Sequence, residues 1–286
     1  MELQGFENKA RPIGVLGVKI SQGGEVIAHK TWDEECRRNV YSASKSVTSC
    51  AVGFAVQEGL LSLEDAFAQD LPETVSENLE RATVRDLLTM CLGQARGELM
   101  GAQRPLYQER DWVKLALSFP FTDAPNTKFV YNNVGPYLAG MLVQRRSGCD
   151  LVSYLTPRLF ERLGITRPTW ETDPLGHTFG AGGLFLTLSE LHTFGQFYLQ
   201  NGRWKGRQLL DPAWVKASTS KQVENGAYGY GYLFWGGEQG TFRADGKYGQ
   251  LSILCREKDA VITVVAECRE GSALNRAIFD ELYPQL

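Results

Sequence analysis

The chain has 286 residues, of which 43% are hydrophobic and 22% are charged, and its formal net charge is −3. These proportions are typical of a soluble globular protein and exclude an intrinsically disordered chain. The small negative charge provides no basic surface for nucleic acid or for an anionic membrane. No stretch reaches the roughly 20 apolar residues that a transmembrane helix needs, so we expect a small-molecule partner and no membrane.

The first twenty residues bear on the cellular compartment. Acidic and polar residues occupy the positions where a secretory signal carries an apolar run of about 7–15 residues. We therefore expect a cytoplasmic protein, or a periplasmic one if an export signal preceded this sequence. The six cysteines are scattered without a Cys-x-x-Cys pair, and several lie in apolar runs, which indicates reduced thiols.

The start of the chain predicts a β-hairpin followed by a helix. Residues 13–20 and 25–30 are rich in β-forming residues, and the Ser-Gln-Gly-Gly sequence at 21–24 is a turn signal. From residue 42 to 58, apolar residues recur at spacings of three and four, which predicts a helix that Gly59 ends.

Residues 60–174 carry mainly helical and loop signals. The Thr-Val-Arg-Asp sequence at 83–86 resembles a capping box that opens a short helix, with aspartate in place of the usual Glu or Gln. Further helices, one of them beyond this stretch, are predicted over residues 111–117, 134–146, 150–163 and 189–199.

The C-terminal part changes to β-like patterns. Strands are predicted over residues 228–235, 241–244, 247–255 and 260–267, and a closing helix over residues 272–282. The charged residues 256–259 form the turn between the last two strands, which predicts an antiparallel hairpin.

The order of these elements predicts an α+β fold, with an antiparallel β-sheet built from both chain ends and flanked by helices. Residues 1–59 and 175–286 would form the sheet lobe. Residues 60–174 would form an inserted, mainly helical lobe, and the active site would lie at the junction of the two.

Ser42-Ala43-Ser44-Lys45 is the first candidate for chemistry. A serine at the start of a helix lies beside unpaired backbone N–H groups and the positive end of the helix dipole, which both favour developing negative charge. A lysine three residues later lies on the same helix face. Burial lowers the pKa of a lysine, and a neutral lysine can take the proton of a serine hydroxyl.

The same pattern has an unremarkable explanation, because Ser-x-x-Lys is common by chance and Ser42 would also suit a helix N-cap. A second copy occurs at Ser218-Thr219-Ser220-Lys221, where the polar residues that follow predict a surface loop.

Two further segments distinguish the first copy. Tyr131-Asn132-Asn133 lies between a β-like stretch and a predicted helix, and Lys247-Tyr248-Gly249 opens a predicted strand. A serine and a lysine on a helix, a tyrosine and an asparagine on a loop, and a lysine and a glycine on a strand would form three walls of one pocket.

This trio resembles the motifs of serine β-lactamases and penicillin-binding proteins, in the branch that has Tyr-x-Asn as its second element. That branch contains class C β-lactamases, DD-peptidases and related esterases and amide hydrolases. The resemblance extends over nearly the whole chain, including residues 82–90 and 182–187. One departure is Tyr248, which stands where the third motif has Thr or Ser and puts β-lactam carboxylate recognition in doubt.

The resemblance implies a role for the first two motifs. Ser42 would form the acyl-enzyme, and Lys45 and Tyr131 would share the proton transfers, with the choice of base left open. Two neighbouring ammonium groups would lower the pKa of Tyr131, so that its phenolate activates the deacylating water. Asn133 would hydrogen-bond a substrate amide or carbonyl.

The third motif would complete the substrate site. Lys247, Tyr248 and Gly249 would bind substrate, with Lys247 supplying positive charge. A side chain in place of Gly249 would block the approach of substrate to the strand edge. The oxyanion hole would consist of the backbone N–H groups of Ser42 and Gln250.

Other chemistries are disfavoured. The three histidines lack metal-ligand spacing, so no metal is expected, and no Gly-x-Ser-x-Gly sequence points to an α/β-hydrolase. Residues 180–183 lack the context of a dinucleotide loop, and no cofactor is expected.

The sequence therefore predicts a serine hydrolase that acts on a small-molecule ester, amide or β-lactam bond. An esterase or amidase, with weak β-lactamase or DD-peptidase activity, fits a cytoplasmic protein best. The alternative is a non-catalytic ligand-binding or sensor protein that retains the β-lactamase-like fold. The sequence does not determine the oligomeric state.

Overall fold

The structure, a computed structural model, describes residues 1–71, 77–97 and 99–286. Its strands, in chain order, are β1 Val15–Gln22, β2 Glu25–Thr31, β3 Arg38–Asn39, β4 Phe185–Leu186, β5 Arg203–Trp204, β6 Arg207–Gln208, β7 Trp235–Gly236, β8 Phe242–Gly246, β9 Gln250–Cys255 and β10 Ala260–Ala266. Its α-helices are α1 Gln4–Ala10, α2 Ser44–Gln57, α3 Val84–Leu88, α4 Trp112–Leu117, α5 Val134–Ser147, α6 Leu151–Leu155, α7 Glu161–Leu163, α8 Leu188–Leu199, α9 Pro212–Ser218 and α10 Gly271–Glu281.

The main sheet joins strands from both ends of the chain. Its order is β2-β1-β10-β9-β8-β7, and each neighbouring pair is antiparallel. The β9–β10 hairpin pairs Cys255 with Ala260, as the charged turn at 256–259 predicts. The α+β fold with an antiparallel sheet and flanking helices is therefore confirmed.

The central strand β10 is buried along its whole length because helices cover both faces of the sheet. Ile262 and Val264 pack into the apolar layer that α1 and α10 complete, whereas Val261 belongs to the larger core on the opposite side. Helix α8 packs on β1, β9 and β10. A Val/Ile-rich run without polar alternation is the pattern of a strand with two covered faces.

Several helix ends follow directly from their capping residues. The Asp111 carboxylate accepts hydrogen bonds from the first turn of α4, and the Asp150 carboxylate does the same for α6. Thr83 and Asp86 form the predicted capping box of α3, in which the carboxylate accepts from the Thr83 N–H at 2.8 Å. The predicted helix over 150–163 is helical throughout, but residues Thr156–Phe160 form a π-helical turn.

Helix α2 lies at the centre of the molecule, where it packs against α5, α6, α9 and β8. Every residue from 44 to 55 is buried, so the helix has no solvent face over this stretch. A helix surrounded on all sides is held in place by its neighbours, which makes its first turn a rigid support for a reacting group. No helix of the described residues combines the length and apolarity needed to cross a membrane.

The strand predicted over 228–235 is wrong for most of its length, because only Trp235 belongs to a strand. Gly229 and Leu233 adopt left-handed backbone conformations, with φ of 77° and 62°, that interrupt an extended chain. The aromatic side chains at 230, 232 and 234 are buried. Two backbone groups bond to helix ends: the Leu233 N–H donates to the Leu88 carbonyl and the Tyr232 N–H donates to the Ser218 carbonyl, each at 3.1 Å.

The prediction that Lys247-Tyr248-Gly249 opens a strand is also wrong. These residues form the tight turn between β8 and β9, in which the Gly249 N–H donates to the Gly246 carbonyl at 3.2 Å. Tyr248 and Gly249 have φ of 69° and 90°, a left-handed conformation that no strand residue adopts.

Candidate active site

Ser42 lies in a single 3₁₀ turn, Tyr41–Ala43, that leads directly into α2. The turn is fixed on both sides: the Tyr41 N–H donates to the Asn39 side chain at 2.7 Å, and the Ser44 hydroxyl donates to the Tyr41 carbonyl at 2.6 Å. Ser42 is therefore held beside the unpaired N–H groups at the start of a buried helix, where developing negative charge is stabilised.

Lys45 is buried, with 1% of its surface exposed, and its Nζ contacts three oxygens. Nζ lies 3.0 Å from the Ser42 hydroxyl oxygen, 2.6 Å from Oδ1 of Asn133 and 2.6 Å from the carbonyl oxygen of Ala181. The predicted proximity of Ser42, Lys45 and Asn133 is thus present in the structure.

When Lys45 is neutral, the two shorter contacts determine the direction of the third. The Ala181 carbonyl only accepts, and the Asn133 Oδ1 is oriented as an acceptor because Nδ2 of the same amide donates to the Met100 carbonyl at 3.1 Å. A neutral amine has two N–H groups, which these two oxygens take up. The lone pair of Nζ then remains for the proton of the Ser42 hydroxyl, the arrangement of a general base and its nucleophile.

Burial is the main cause of the shifted Lys45 pKa, which falls from 10.5 to about 7, and the positive charge of Arg104 acts in the same direction. Close to half of the Lys45 side chains are then neutral at pH 7, where an unperturbed lysine is almost fully protonated.

Tyr131 also lies near the Lys45 amine. The amine nitrogen is 5.1 Å from the centre of the Tyr131 ring. Tyr131 and Ser42 line the same cavity, and the interaction of the Tyr131 hydroxyl with Ser42 favours a lower pKa of Tyr131. The expected lowering of the Tyr131 pKa is wrong: burial raises the pKa, the Asp245 carboxylate raises it further, and hydrogen bonding with Ser42 opposes this only in part. Neither Lys45 nor Lys247, the two lysines invoked from the sequence, is among the main causes of the shift. Tyr131 is a neutral phenol.

One cavity of about 390 Å³ opens above the nucleophile. It is lined by Ser42, Tyr131, Trp235, Arg243, Asp245 and Lys247. Of the third predicted motif, the structure brings only Lys247 to this cavity. Tyr248 packs edge-on against Tyr41, with 5.2 Å between ring centres, and lines two neighbouring cavities instead.

Gly249 and Gln250 do not line this cavity either, and the role predicted for Gly249 needs correction. A Cβ on Gly249 would lie 2.6 Å from the Leu274 side chain, so this glycine allows α10 to pack closely and does not clear a path for substrate. Gln250 is buried against the end of β10, where its amide donates to the Ala266 carbonyl, and it lines a different cavity.

Gly246, at the end of β8, is the glycine that allows a close approach to the nucleophile turn. A Cβ at this position would collide with the carbonyl oxygen of Val40, two residues before Ser42. The absence of a side chain therefore lets the end of β8 approach the nucleophile turn, and Asp245 and Lys247 flank that contact.

Sequence reasoning missed two cavity residues, Arg243 and Asp245, and did not single out a third, Trp235, from the aromatic stretch at 228–235. A signal for two of them was present, because Arg-x-Asp-x-Lys at 243–247 has the period of two that places side chains on one face of a strand. It also missed Arg104, whose guanidinium donates to the Met100 carbonyl at 3.1 Å and approaches Glu171 at 2.9 Å.

The second Ser-x-x-Lys copy differs in both members. Ser218 is buried at the end of α9, where its hydroxyl donates to the Val215 carbonyl at 3.1 Å, so the surface loop predicted there is wrong for this residue. Lys221 is exposed and pairs with Glu224 at 2.7 Å. In the described part of the chain, no group of three or more acidic, histidine or cysteine side chains is arranged to hold a metal ion.

Comparison with known proteins agrees with the sequence resemblance. The family model described as beta-lactamase matches residues 8–282. The 6-aminohexanoate-dimer hydrolase of Paenarthrobacter ureafaciens is 23% identical over 274 residues, which cover 85% of this chain and 70% of that protein. An uncharacterized protein of Alkalihalophilus pseudofirmus is 26% identical over 211 residues, 67% of this chain, and the match spans only 57% of that relative's length.

Among solved structures, the octameric penicillin-binding protein homologue from Pyrococcus abyssi superposes with a TM-score of 0.80. The match covers 99% of this chain and 78% of that chain, at 18% sequence identity. At that identity, the similarity supports the fold alone.

Proposed function

Because the chain belongs to the beta-lactamase family, we propose that it is a serine hydrolase in which Ser42 forms an acyl-enzyme with small-molecule esters or amides. The observation that carries this proposal is the environment of Lys45. Its Nζ lies 3.0 Å from the Ser42 hydroxyl oxygen, and its other two contacts are acceptors. A buried amine with a pKa of about 7 in that position is a general base at neutral pH.

In acylation, Oγ of Ser42 attacks the substrate carbonyl carbon while its proton passes to Nζ of Lys45. The tetrahedral intermediate collapses as the bond to the leaving group breaks. The proton then returns from Lys45 to the leaving group through the hydroxyl of Tyr131, which stays neutral overall because it accepts one proton and donates another. The raised pKa of Tyr131 supports this role as a neutral relay in preference to a phenolate base.

Deacylation uses the same groups with water as the nucleophile. After the leaving group departs, Lys45 is neutral again and accepts a proton from the attacking water. The ester bond to Ser42 then breaks, and the proton returns to Oγ of Ser42. No second base is needed, since each half-reaction leaves Lys45 in the state from which it began.

The oxyanion is assigned to two backbone N–H groups, that of Ser42 and that of Lys247. The Gly246 carbonyl faces β9, where it accepts from Gly249. Because backbone groups alternate along a strand, Asp245 directs its own to the other edge, beyond the short β7. Lys247, which follows at the start of the turn, lines the Ser42 cavity, which supports its N–H as the second donor in place of Gln250.

Linear esters and amides are the proposed substrate class, with β-lactams hydrolysed weakly. The open cavity of about 390 Å³ accommodates a small molecule. Support also comes from the Paenarthrobacter relative, which is named as a hydrolase of a 6-aminohexanoate dimer. The third motif's Tyr248 lies outside the cavity, so the hydroxyl that would bind a β-lactam carboxylate has no counterpart there.

A fluorophosphonate probe tests the acyl-enzyme directly, because it phosphonylates an activated serine. We expect intact-mass spectrometry to show one adduct on the wild-type chain and none on Ser42→Ala. The second Ser-x-x-Lys copy provides the matched control: Ser218→Ala should be labelled as the wild type is. An unlabelled wild type, or an adduct that persists in Ser42→Ala, would contradict the proposal.

A further inference from the structure

Three charged side chains of alternating sign follow one another along the wall of the Ser42 cavity. Arg243, Asp245 and Lys247 all line it, whereas Ala244 and Gly246 between them are buried on the other face of β8. This is the two-residue period of a strand. The middle charge is negative, and it is close enough to Tyr131 to contribute to the raised pKa of that residue.

The two cations are engaged differently. Nε of Arg243 donates to Oδ2 of Asp245 at 2.8 Å, and Nη1 of Arg243 is 3.3 Å from the Gly236 carbonyl oxygen. Lys247 lies at the turn, with its Nζ 4.8 Å from the centre of the Tyr248 ring, outside the cavity. Arg243 is therefore held by the Asp245 carboxylate and the Gly236 carbonyl, and the Lys247 amine lies near the Tyr248 ring.

The Asp245 carboxylate, in contrast, keeps one oxygen for a ligand. Among the described residues, only Oδ2 has a hydrogen-bond partner, and 30% of the side chain is exposed. The negative charge of Asp245 also acts on a reacting group, because it contributes to the raised pKa of Tyr131. Lys45, neutral in close to half of the molecules at pH 7, cancels the effect of this charge only in part.

Two aromatic rings complete this side of the cavity. Tyr131 and Trp235 both line it, with 4.9 Å between their ring centres and 40° between their planes. The faces of tryptophan and tyrosine attract cations through the ring quadrupole, and a nearby carboxylate adds to that attraction. A free carboxylate oxygen beside two rings is suited to an alkylammonium group.

We infer that Asp245, with Trp235, forms a subsite for a positively charged group, a substituted ammonium, on the leaving-group side of the substrate. The side follows from the proposed function on which this inference rests, since Tyr131 delivers the proton to the leaving group and lines the same cavity. Asp245 is then a specificity-determining residue that favours cationic leaving groups and disfavours anionic ones.

Three thioesters with a common butyryl group and leaving groups of matched shape test the inference. Their thiols are thiocholine, with a positive charge, 3,3-dimethylbutanethiol, which is its neutral isostere, and 2-mercaptoethanesulfonate, with a negative charge. The released thiol is measured with a disulfide dye, and kcat/KM is compared within each variant. A quaternary ammonium has no N–H, so its attraction to the Asp245 charge and to the aromatic faces must supply the preference; we expect a cationic-to-neutral ratio of about 10 or more in the wild type.

In Asp245→Asn, we expect the cationic-to-neutral ratio to fall to about 1. The anionic-to-neutral ratio should rise, because Arg243 loses its partner. A merely structural role of Asp245 would change all three rates by the same factor. The matched control is Asp33→Asn, which also removes an aspartate paired with arginine but lies outside the cavity and should leave both ratios unchanged.

A wild-type ratio near 1, or a ratio that Asp245→Asn does not change, would overturn the inference while leaving the proposed function intact. Absence of turnover of all three thioesters together with absence of fluorophosphonate labelling would overturn both. If Asp245→Asn does not fold, the salt dependence of the wild type provides the test. The cationic preference should weaken when the ionic strength rises from about 0.05 to 0.5 M. A preference that salt does not affect would contradict a charge subsite.

Discussion

Replacement of Ser42 by alanine is expected to lower kcat for p-nitrophenyl butyrate by a factor on the order of 10⁵ to 10⁶, the loss typical when a hydrolase loses its nucleophile. The oxyanion donors are backbone groups and remain in place, so weak turnover above that of water should persist. Steady-state release of nitrophenol measures the effect.

The structure makes this variant a clean test. The Ser42 hydroxyl is close to Lys45 and Tyr131, and its removal leaves the 3₁₀ turn held by Asn39 and Ser44. The thermal midpoint of Ser42→Ala should therefore stay close to that of the wild type. Retention of more than about a hundredth of the activity by a folded Ser42→Ala would exclude Ser42 as the nucleophile.

Lys45→Met should lower the acylation rate by about 10² to 10⁴, the usual contribution of a general base. Methionine has the length and the unbranched form of the lysine stem, so the buried space around α2 remains filled. It leaves the Asn133 and Ala181 oxygens without a donor, which costs stability, while the removal of a buried amine regains some. Single-turnover release of nitrophenol reports the acylation step.

The pH dependence separates a base from a structural lysine. The Lys45 pKa of about 7 lies below the ordinary value, so the neutral, active form is lost as the pH falls through 7. In the wild type, kcat/KM should reach a plateau above pH 8 and fall tenfold per unit well below pH 7. Lys45→Met should lose this step. A folded Lys45→Met with a wild-type acylation rate would exclude the proposed base.

The sequence predicted the reacting pair and its scaffold because both depend on local rules. Apolar spacing locates helix α2, and three residues of helix place Lys45 next to Ser42. The Asp150 cap, the Thr83 capping box and the β9–β10 hairpin likewise follow from short-range hydrogen-bonding patterns. Asn133 reaches Lys45 across 88 positions of chain, a contact that was not predicted, because the family resemblance assigned Asn133 to the substrate.

The predictions that failed depend on contacts between distant segments. Alternating aromatic and small residues at 228–235 satisfy the pattern of a strand, but left-handed turns at Gly229 and Leu233 direct the rings into the helical core. Near the site, two glycines three residues apart, Gly246 and Gly249, are equally suited to a close approach. Only the position of the Val40 carbonyl shows that Gly246 is the one beside the nucleophile.

The Tyr131 pKa illustrates the same limit for electrostatics. The sequence places two lysines near a tyrosine, which alone would lower its pKa. Burial of both the phenol and Lys45, together with the unexpected carboxylate of Asp245, reverses the direction. Burial depends on the whole fold, so neither the order of the motifs nor their spacing contains this information.

A nuclear magnetic resonance titration of the Lys45 side chain, labelled with ¹³C at Cε and assigned by comparison with Lys45→Met, measures the protonation of the proposed base directly. The Cε shift should titrate with a midpoint near pH 7, and Arg104→Met should raise that midpoint because a like charge is removed. A Lys45 resonance that titrates near pH 10.5, as an exposed lysine does, would contradict a neutral amine as the base for Ser42.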